Sequence, residues 1–197
     1  NIMKKNQTLF DISKKILVKF QKVLQIENPN LVLVQGDTTT AMISALSSFY
    51  LNIPVAHVES GLRTYNNNSP FPEEMNRNII SKISYFHFCP TSLSKKNLFK
   101  ENIKKHVYIT GNTIVDCLKL FEKNYEKQKF SNTLLNKYIF NSNNKIILIT
   151  MHRRENFGIK MHSILFAIKK IAISNTKINL IFPVHKNPQV RNAVFKI

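Results

Sequence analysis

Acidic residues are scarce in this chain: it has 11 against 29 lysines and arginines in 197 positions, a formal net charge of +18. Proteins that recognise phosphates or bases of nucleic acids usually cluster arginines beside stacking aromatics. Here most basic residues are lysines, which occur in blocks no longer than two, and four of the five arginines lie beside acidic residues. We therefore expect no nucleic-acid partner.

Long apolar runs are also missing. No run approaches the roughly 18 residues of a membrane span, and residues 1–10 lack the apolar core of a signal peptide, so we expect no membrane partner. The two cysteines, Cys89 and Cys117, lie far apart in apolar surroundings, which predicts buried, reduced thiols. No spacing of Cys or His is typical of a metal site, and we expect none.

Two glycine-rich phosphate motifs are absent as well. Neither G-x-G-x-x-G nor G-x-x-x-x-G-K-[ST] occurs, which argues against a dinucleotide-dependent oxidoreductase and a P-loop NTPase. We find no internal repeat.

Short apolar segments alternate with amphipathic ones along the chain, which predicts an α/β fold with parallel sheets. The predicted strands cover 31–35, 54–58, 85–89, 107–110, 145–150 and 178–184. The predicted helices cover 7–28, about 39–50, 73–84, 92–101, 113–126 and 160–174, and a last one begins after His185. The polar segment 127–144 predicts a linker between a first domain, 1–126, and a second, 145–197.

Polar side chains follow the predicted strands: Asp37, Glu59, Asn112, His152 and His185 each come just after one. The carboxyl ends of parallel strands form the ligand crevice of such sheets. We therefore expect these residues on one rim of each sheet.

The stretch 57–77, HVESGLRTYNNNSPFPEEMNR, brings further acids into a long loop. Carboxylates that share a cleft acquire separate pKa values, so that one can act as an acid and another as a base. Asp37, Glu59 and Glu73 are the candidates. Each also has a purely structural interpretation. Asp37 would then cap its helix, Glu59 would pair with Arg63, and Glu73 would favour a helix start, as would its neighbour Glu74.

The histidines divide into two groups. His152 opens the segment His152-Arg153-Arg154-Glu155, whose cationic donors suit a diphosphate, although Arg154 and Glu155 could instead form a local salt bridge while His152 packs. The remaining histidines are expected in the core (His57 and His87), at the surface (His106 and His162), or at a strand end as a secondary ligand (His185).

Six strings together carry a family resemblance: VQGDTTTAMISALSSFY, PVAHVESGLRT, SPFPEEMNR, ITGNTIVD, ITMHRREN and PVHKNP. In this order and spacing the chain resembles the non-hydrolysing bacterial UDP-N-acetylglucosamine 2-epimerases. The resemblance implies two Rossmann-like domains around a cleft, as in GT-B glycosyltransferases, with both domains incomplete in this chain.

The resemblance also implies a reaction. The family inverts C2 of UDP-GlcNAc to give UDP-ManNAc without a cofactor, by eliminating UDP and adding it back. Carried over by motif, Asp37, Glu59, Glu73 and His152 are the expected catalytic residues. The expected substrate-binding residues are Arg77, Arg153 and Asn112, and the family further implies an allosteric surface that includes Arg153 and His185.

Two parts of the family pattern are missing from the sequence: a GTRPE-like first strand-turn-helix and the rest of the second domain. We therefore expect this segment alone to turn over little or no UDP-GlcNAc. The alternatives are a hydrolysing relative that releases UDP and ManNAc, and a non-catalytic basic remnant. The family further implies a cytoplasmic homodimer, when full length, that serves polysaccharide biosynthesis.

Overall fold

The structure, a computed structural model, describes residues 7–125, 143–151 and 156–197. The chain divides into two compact units, Asn1–Asn124 and Tyr125–Ile197. Both alternate helices with parallel strands, so the predicted α/β fold class is confirmed. The predicted linker lies almost wholly outside the described residues, and the domain boundaries stay predictions.

The first unit contains one four-stranded parallel sheet in the order β1-β2-β3-β4. Its elements are α1 (Leu9–Glu27), β1 (Val32–Gln35), α2 (Thr39–Tyr50), β2 (Val55–Val58), α3 (Glu73–Ile83), β3 (Phe86–Cys89), α4 (Ser92–Lys100), β4 (Val107–Ile109) and α5 (Thr113–Tyr125). Because all four strands are parallel, their carboxyl ends lie along a single edge.

Alternation along β1 shows how the sheet meets its helices. Val32 and Val34 are buried, whereas Leu33 and Gln35 between them are exposed. The buried pair packs in a cluster with Leu24 of α1 and with residues of α2 and α3. A strand's side chains alternate between the two faces of a sheet, so Val32 and Val34 share the face that lies against the helices.

The ends of α1 follow from local chemistry. Thr8 and Asp11 form a capping box at its start, which satisfies two free backbone N–H groups. At its end Asn28 adopts a left-handed conformation with φ 42° and its N–H donates to the carbonyl of Leu24, an end that asparagine and glycine commonly supply, with a proline next in the chain.

The second unit contains a two-stranded parallel sheet, β5 (Lys145–Leu148) and β6 (Ile178–Ile181), with helices α6 (Ile159–Ser174) and α7 (Pro188–Phe195). The predicted strand 178–184 is too long at its end. Pro183 has no N–H to donate to a neighbouring strand, and the ladder stops before it.

Two predictions about individual side chains have opposite outcomes. His57 and His87 are buried, with 0% and 2% of their surfaces exposed, so their place in the core is confirmed. The prediction of a buried thiol holds for Cys89 and is wrong for Cys117, which is exposed. Cys117 lies on α5, whose side chains at 113–124 are all exposed, so its apolar neighbours in sequence do not cover it.

Gly61 provides a test of the packing between the loop after β2 and α4. A Cβ at Gly61 (φ +83°) would overlap the carbonyl oxygen of Ser94 and lie 2.8 Å from its carbon. We expect Gly61→Ala to destabilise the protein by at least about 2 kcal/mol in urea unfolding, because backbone must move.

Gly111 is the matched control for this substitution. It has a similar φ of +84°, but a Cβ there would meet nothing within 4 Å. Gly111→Ala should therefore lower the free energy of unfolding by only about 1–2 kcal/mol, which is the cost of holding a residue with a Cβ in the left-handed conformation. Equal losses for the two variants would contradict the close approach.

Candidate functional site

Two of the predicted acids lie at neighbouring strand ends. Asp37 follows β1 and Glu59 follows β2, and the Gly36 N–H donates to the carbonyl of Val58 across the pair, at 3.0 Å. Gly36 has φ +73°, and a Cβ built on it would lie 3.5 Å from a carboxylate oxygen of Glu59. The structure therefore brings Asp37 and Glu59 to the same edge of the sheet.

Glu59 has an unusual backbone. Its φ is 67°, a left-handed value that costs a non-glycine residue about 1 kcal/mol or more. Its carboxylate accepts a hydrogen bond from the Gln35 side chain at 3.2 Å, and the same amide donates to the hydroxyl of Thr113 at 3.3 Å. Strained residues of this kind concentrate at functional sites.

Asp37 is held by Arg77. Two guanidinium nitrogens of Arg77 contact the same Oδ2 of Asp37, Nε at 2.8 Å and Nη2 at 2.6 Å. The N-cap of α2 is instead Thr38, whose hydroxyl accepts from the Ala41 N–H. The interpretation of Asp37 as only a helix cap is therefore wrong, because its carboxylate faces α3.

The peptide groups on either side of Asp37 are held as well. His57 Nε2 donates to the carbonyl of Gly36 at 2.9 Å, and the Asn76 side-chain amide donates to the carbonyl of Asp37 at 2.8 Å. Burial lowers the pKa of His57 to about 4, so the ring is neutral and carries its proton on Nε2. Among the described residues its Nδ1 has no partner.

Glu74 is the second anionic partner of Arg77. Its carboxylate is fully buried, accepts the backbone N–H groups of Thr64 and Tyr65 at 3.0 Å each, and contacts Arg77 Nη1 at 2.9 Å. Burial acts to raise the pKa of Glu74, but the two N–H groups and the guanidinium outweigh it and hold the pKa below its ordinary value. Glu74 is thus a buried anion that holds Arg77.

Glu73 is less constrained. It is the first residue of α3, is partly exposed, and makes no hydrogen bond or ion pair within the described part of the chain. It precedes Arg77 by four positions, so both lie on one face of α3. The neighbouring residues Asn76 and Arg77 of the same helix contact Asp37, so Glu73 opens the helix that packs against this edge.

Arg63 has a different partner from the one that the sequence offered. It makes two contacts with the Glu101 carboxylate, at 2.6 and 2.9 Å, and its side chain is 1% exposed. The interpretation that Glu59 only pairs with Arg63 is therefore wrong. The Asn97 side chain also accepts from the Tyr65 hydroxyl and donates to the Gly61 carbonyl, so α4 holds the start of the loop.

The other predicted residues have separate outcomes. Asn112 is exposed, and its side-chain oxygen accepts the Ile114 N–H at 3.1 Å at the start of α5. His152 and Arg153 lie outside the described residues, and their roles stay predictions. In the second unit, His185 Nδ1 accepts the backbone N–H of Asn187 at 3.1 Å, next to the start of α7.

Sequence reasoning missed three contributors to the site: Glu74, Asn76 and His57. The sequence predicts Glu74 only as a residue that favours a helix start, and His57 only as a core residue. One signal was available: Glu74 and Arg77 are three positions apart in a predicted helix, which makes them neighbours on its surface. Nothing in the sequence pointed Asn76 toward the carbonyl of Asp37.

The edge therefore offers several carboxylates in distinct settings: Asp37 paired with a cation, Glu59 hydrogen-bonded to an amide, and Glu73 open. Such a set can move protons on opposite sides of a bound molecule. In the described ranges, no group of three or more His, Cys, Asp or Glu could hold a metal ion. Nor does any helix there have the length and apolarity to cross a bilayer.

Comparisons with known proteins all point to the same protein family. The family described as UDP-N-acetylglucosamine 2-epimerase matches residues 1–197. The UDP-N-acetylglucosamine 2-epimerase of Campylobacter jejuni is 48% identical over 200 residues, which cover 98% of this chain and 52% of that protein. The chain spans about half the length of the curated relatives it matches.

Solved structures agree. The chain is similar to a UDP-GlcNAc 2-epimerase from Neisseria meningitidis bound to UDP-GlcNAc, with TM-score 0.94, 41% identity, and coverage of 100% of this chain and 53% of that one. It is also similar to the enzyme of Methanocaldococcus jannaschii in complex with UDP-GlcNAc and UDP, with TM-score 0.81 and 34% identity over 97% of this chain and 51% of the other.

Proposed function

The chain belongs to the UDP-N-acetylglucosamine 2-epimerase family, and on that premise we propose that it supplies the acid-bearing edge of a non-hydrolysing epimerase that interconverts UDP-GlcNAc and UDP-ManNAc. The observation that carries the proposal is the placement of Asp37 and Glu59 at adjacent strand ends, with Glu73 opening α3, the helix whose Asn76 and Arg77 contact Asp37. The substrate class is supported by the UDP-GlcNAc in the Neisseria structure.

The proposed reaction has two balanced halves. A carboxylate removes the C2 proton while the C1–O bond to UDP breaks, which leaves a glycal and free UDP. A carboxyl group on the other face then returns a proton to C2 while a UDP oxygen re-forms the bond to C1. Two proton-transfer groups are needed because the configuration at C2 inverts, and we propose that Asp37, Glu59 and Glu73 provide them.

Departure of UDP leaves charge on the diphosphate, and cationic donors that face it would stabilise that charge. We propose His152 and Arg153 for this role, with Asn112 near the sugar. Arg77 is a less direct ligand, because it already holds Asp37 and Glu74. An allosteric surface at Arg153 and His185, a dimeric full-length protein and a cytoplasmic location stay predictions.

The test compares two proteins: the one expressed from the complete reading frame that contains this sequence, and the 197 residues alone. We expect the first to convert UDP-GlcNAc to UDP-ManNAc and to place deuterium at C2 in D₂O. We expect the second to show little or no turnover, and robust turnover by the 197 residues would contradict that expectation. Free ManNAc with UDP as the final products would instead indicate a hydrolase. Absence of both UDP-GlcNAc binding and turnover in the complete protein would indicate a non-catalytic remnant.

A further inference from the structure

A continuous set of contacts joins the loop after β2 to Asp37. It runs from the backbone N–H groups of Thr64 and Tyr65 to the Glu74 carboxylate, then to the Arg77 guanidinium, and then to the Asp37 carboxylate. Glu74 is 0% exposed. A buried carboxylate is costly unless it is paired, so its position inside this set calls for a role.

The geometry of Arg77 defines that role. Its guanidinium contacts Glu74 through Nη1 at 2.9 Å and Asp37 through Nε and Nη2 at 2.8 and 2.6 Å. The guanidinium is planar and rigid, so one contact restricts the direction of the others. With Glu74 in place, the nitrogens that face Asp37 have a single orientation.

We propose that Glu74 is a positioning residue, which sets the orientation of the Asp37 carboxylate by holding Arg77 and connects that orientation to the loop that carries Glu59. This inference rests on the proposed function, because Asp37 must take part in the reaction for its orientation to matter. Glu74 itself is fully buried and its carboxylate is occupied by Thr64, Tyr65 and Arg77, so we assign it no direct contact with the reacting atoms.

Glu74→Gln in the complete protein separates the two contacts of this residue. The glutamine oxygen can still accept the N–H groups of Thr64 and Tyr65, so the loop anchor is retained. Its amide nitrogen, however, is a donor and cannot accept from Arg77 Nη1. We expect kcat for UDP-GlcNAc epimerisation to fall about 10- to 100-fold, the size of effect that small displacements of a reacting group produce, while KM changes less than about threefold.

Glu101→Gln is the matched control. Glu101 also pairs with a poorly exposed arginine, Arg63, but that pair does not contact Asp37. We expect it to lower the thermal midpoint to a degree similar to Glu74→Gln and to leave kcat within about twofold. If both variants lose kcat in proportion to stability, the role of Glu74 is only structural and the inference is overturned.

A double-mutant cycle keeps the inference testable even if Glu74→Gln is poorly stable. If Glu74 acts through Arg77, Glu74→Gln should lower kcat little further in an Arg77→Lys background. Additive losses would overturn the inference. A wild-type protein without epimerase activity would instead refute the proposed function, so the two failures are distinguishable.

Discussion

Replacing Glu73 by Gln in the complete protein should lower kcat for UDP-GlcNAc epimerisation by about 10²- to 10⁴-fold, the range expected when a proton-transfer group is lost. Glu73 makes no hydrogen bond or ion pair among the described residues, whereas Asp37 and Glu59 each have a side-chain partner, so its substitution should leave the fold unchanged. We would measure the initial rate of UDP-ManNAc formation and the incorporation of deuterium at C2.

The control for Glu73→Gln is Glu27→Gln, an exposed carboxylate at the end of α1, which leads into the amino end of β1 and not its carboxyl end. It should retain full activity. Unchanged epimerisation by Glu73→Gln would refute the assignment of Glu73 as a catalytic residue. Asp37→Asn should be similarly inactive but also less stable, because it leaves Arg77, whose side chain is 14% exposed, with one anionic partner fewer.

Acid should destabilise the first unit through two buried histidines. Burial lowers the pKa of His57 and of His87 to about 4, whereas both histidines titrate near 6.5 in an unfolded chain. Between about pH 6.5 and pH 4 the unfolded state binds protons at these histidines and the folded state does not. The free energy of unfolding therefore falls as the pH is lowered through this window. The loss approaches about 3 kcal/mol for each histidine.

Urea unfolding between pH 7.5 and pH 4.5 would measure this loss. His57→Gln should reduce the slope of the unfolding free energy against pH by the amount that corresponds to about one bound proton. A glutamine can keep the donor to the Gly36 carbonyl without titrating. His162→Gln, at an exposed position on α6, is the control and should leave the slope unchanged. A slope that does not respond to His57→Gln would contradict the assignment of the acid loss to this residue. Glu74, with its lowered pKa, adds a separate loss near and below pH 4.5.

These predictions connect the core to the site. The histidine that makes the unit sensitive to acid also holds the peptide that precedes Asp37. The carboxylate that anchors the loop also holds Arg77. Substitutions at buried positions of this edge should therefore change activity and stability together, whereas substitution of Glu73 should change activity alone.

The order and type of the helices and strands could be read from the sequence, because hydrophobic periodicity reports local structure. Every predicted helix and strand with described residues is present, and most ends lie within two residues of the expected position. The largest difference is at the predicted strand 178–184, because β6 ends at Ile181. Pro183 has no N–H with which to continue the ladder. The placement of Asp37 and Glu59 at one edge could also be predicted, since parallel strands with helical connections have their carboxyl ends on the same side.

The partners of the carboxylates could not be read from the sequence. Asp37 meets an arginine 40 positions away, and Arg63 meets a glutamate 38 positions away, and no local pattern reports contacts of that range. Burial of Glu74 and exposure of Cys117 likewise depend on which surfaces face one another after packing. Sequence periodicity thus places each residue on an element, whereas the charged pairs follow from how α3 and α4 pack against the strand ends, because a buried charge must find its counter-charge in three dimensions.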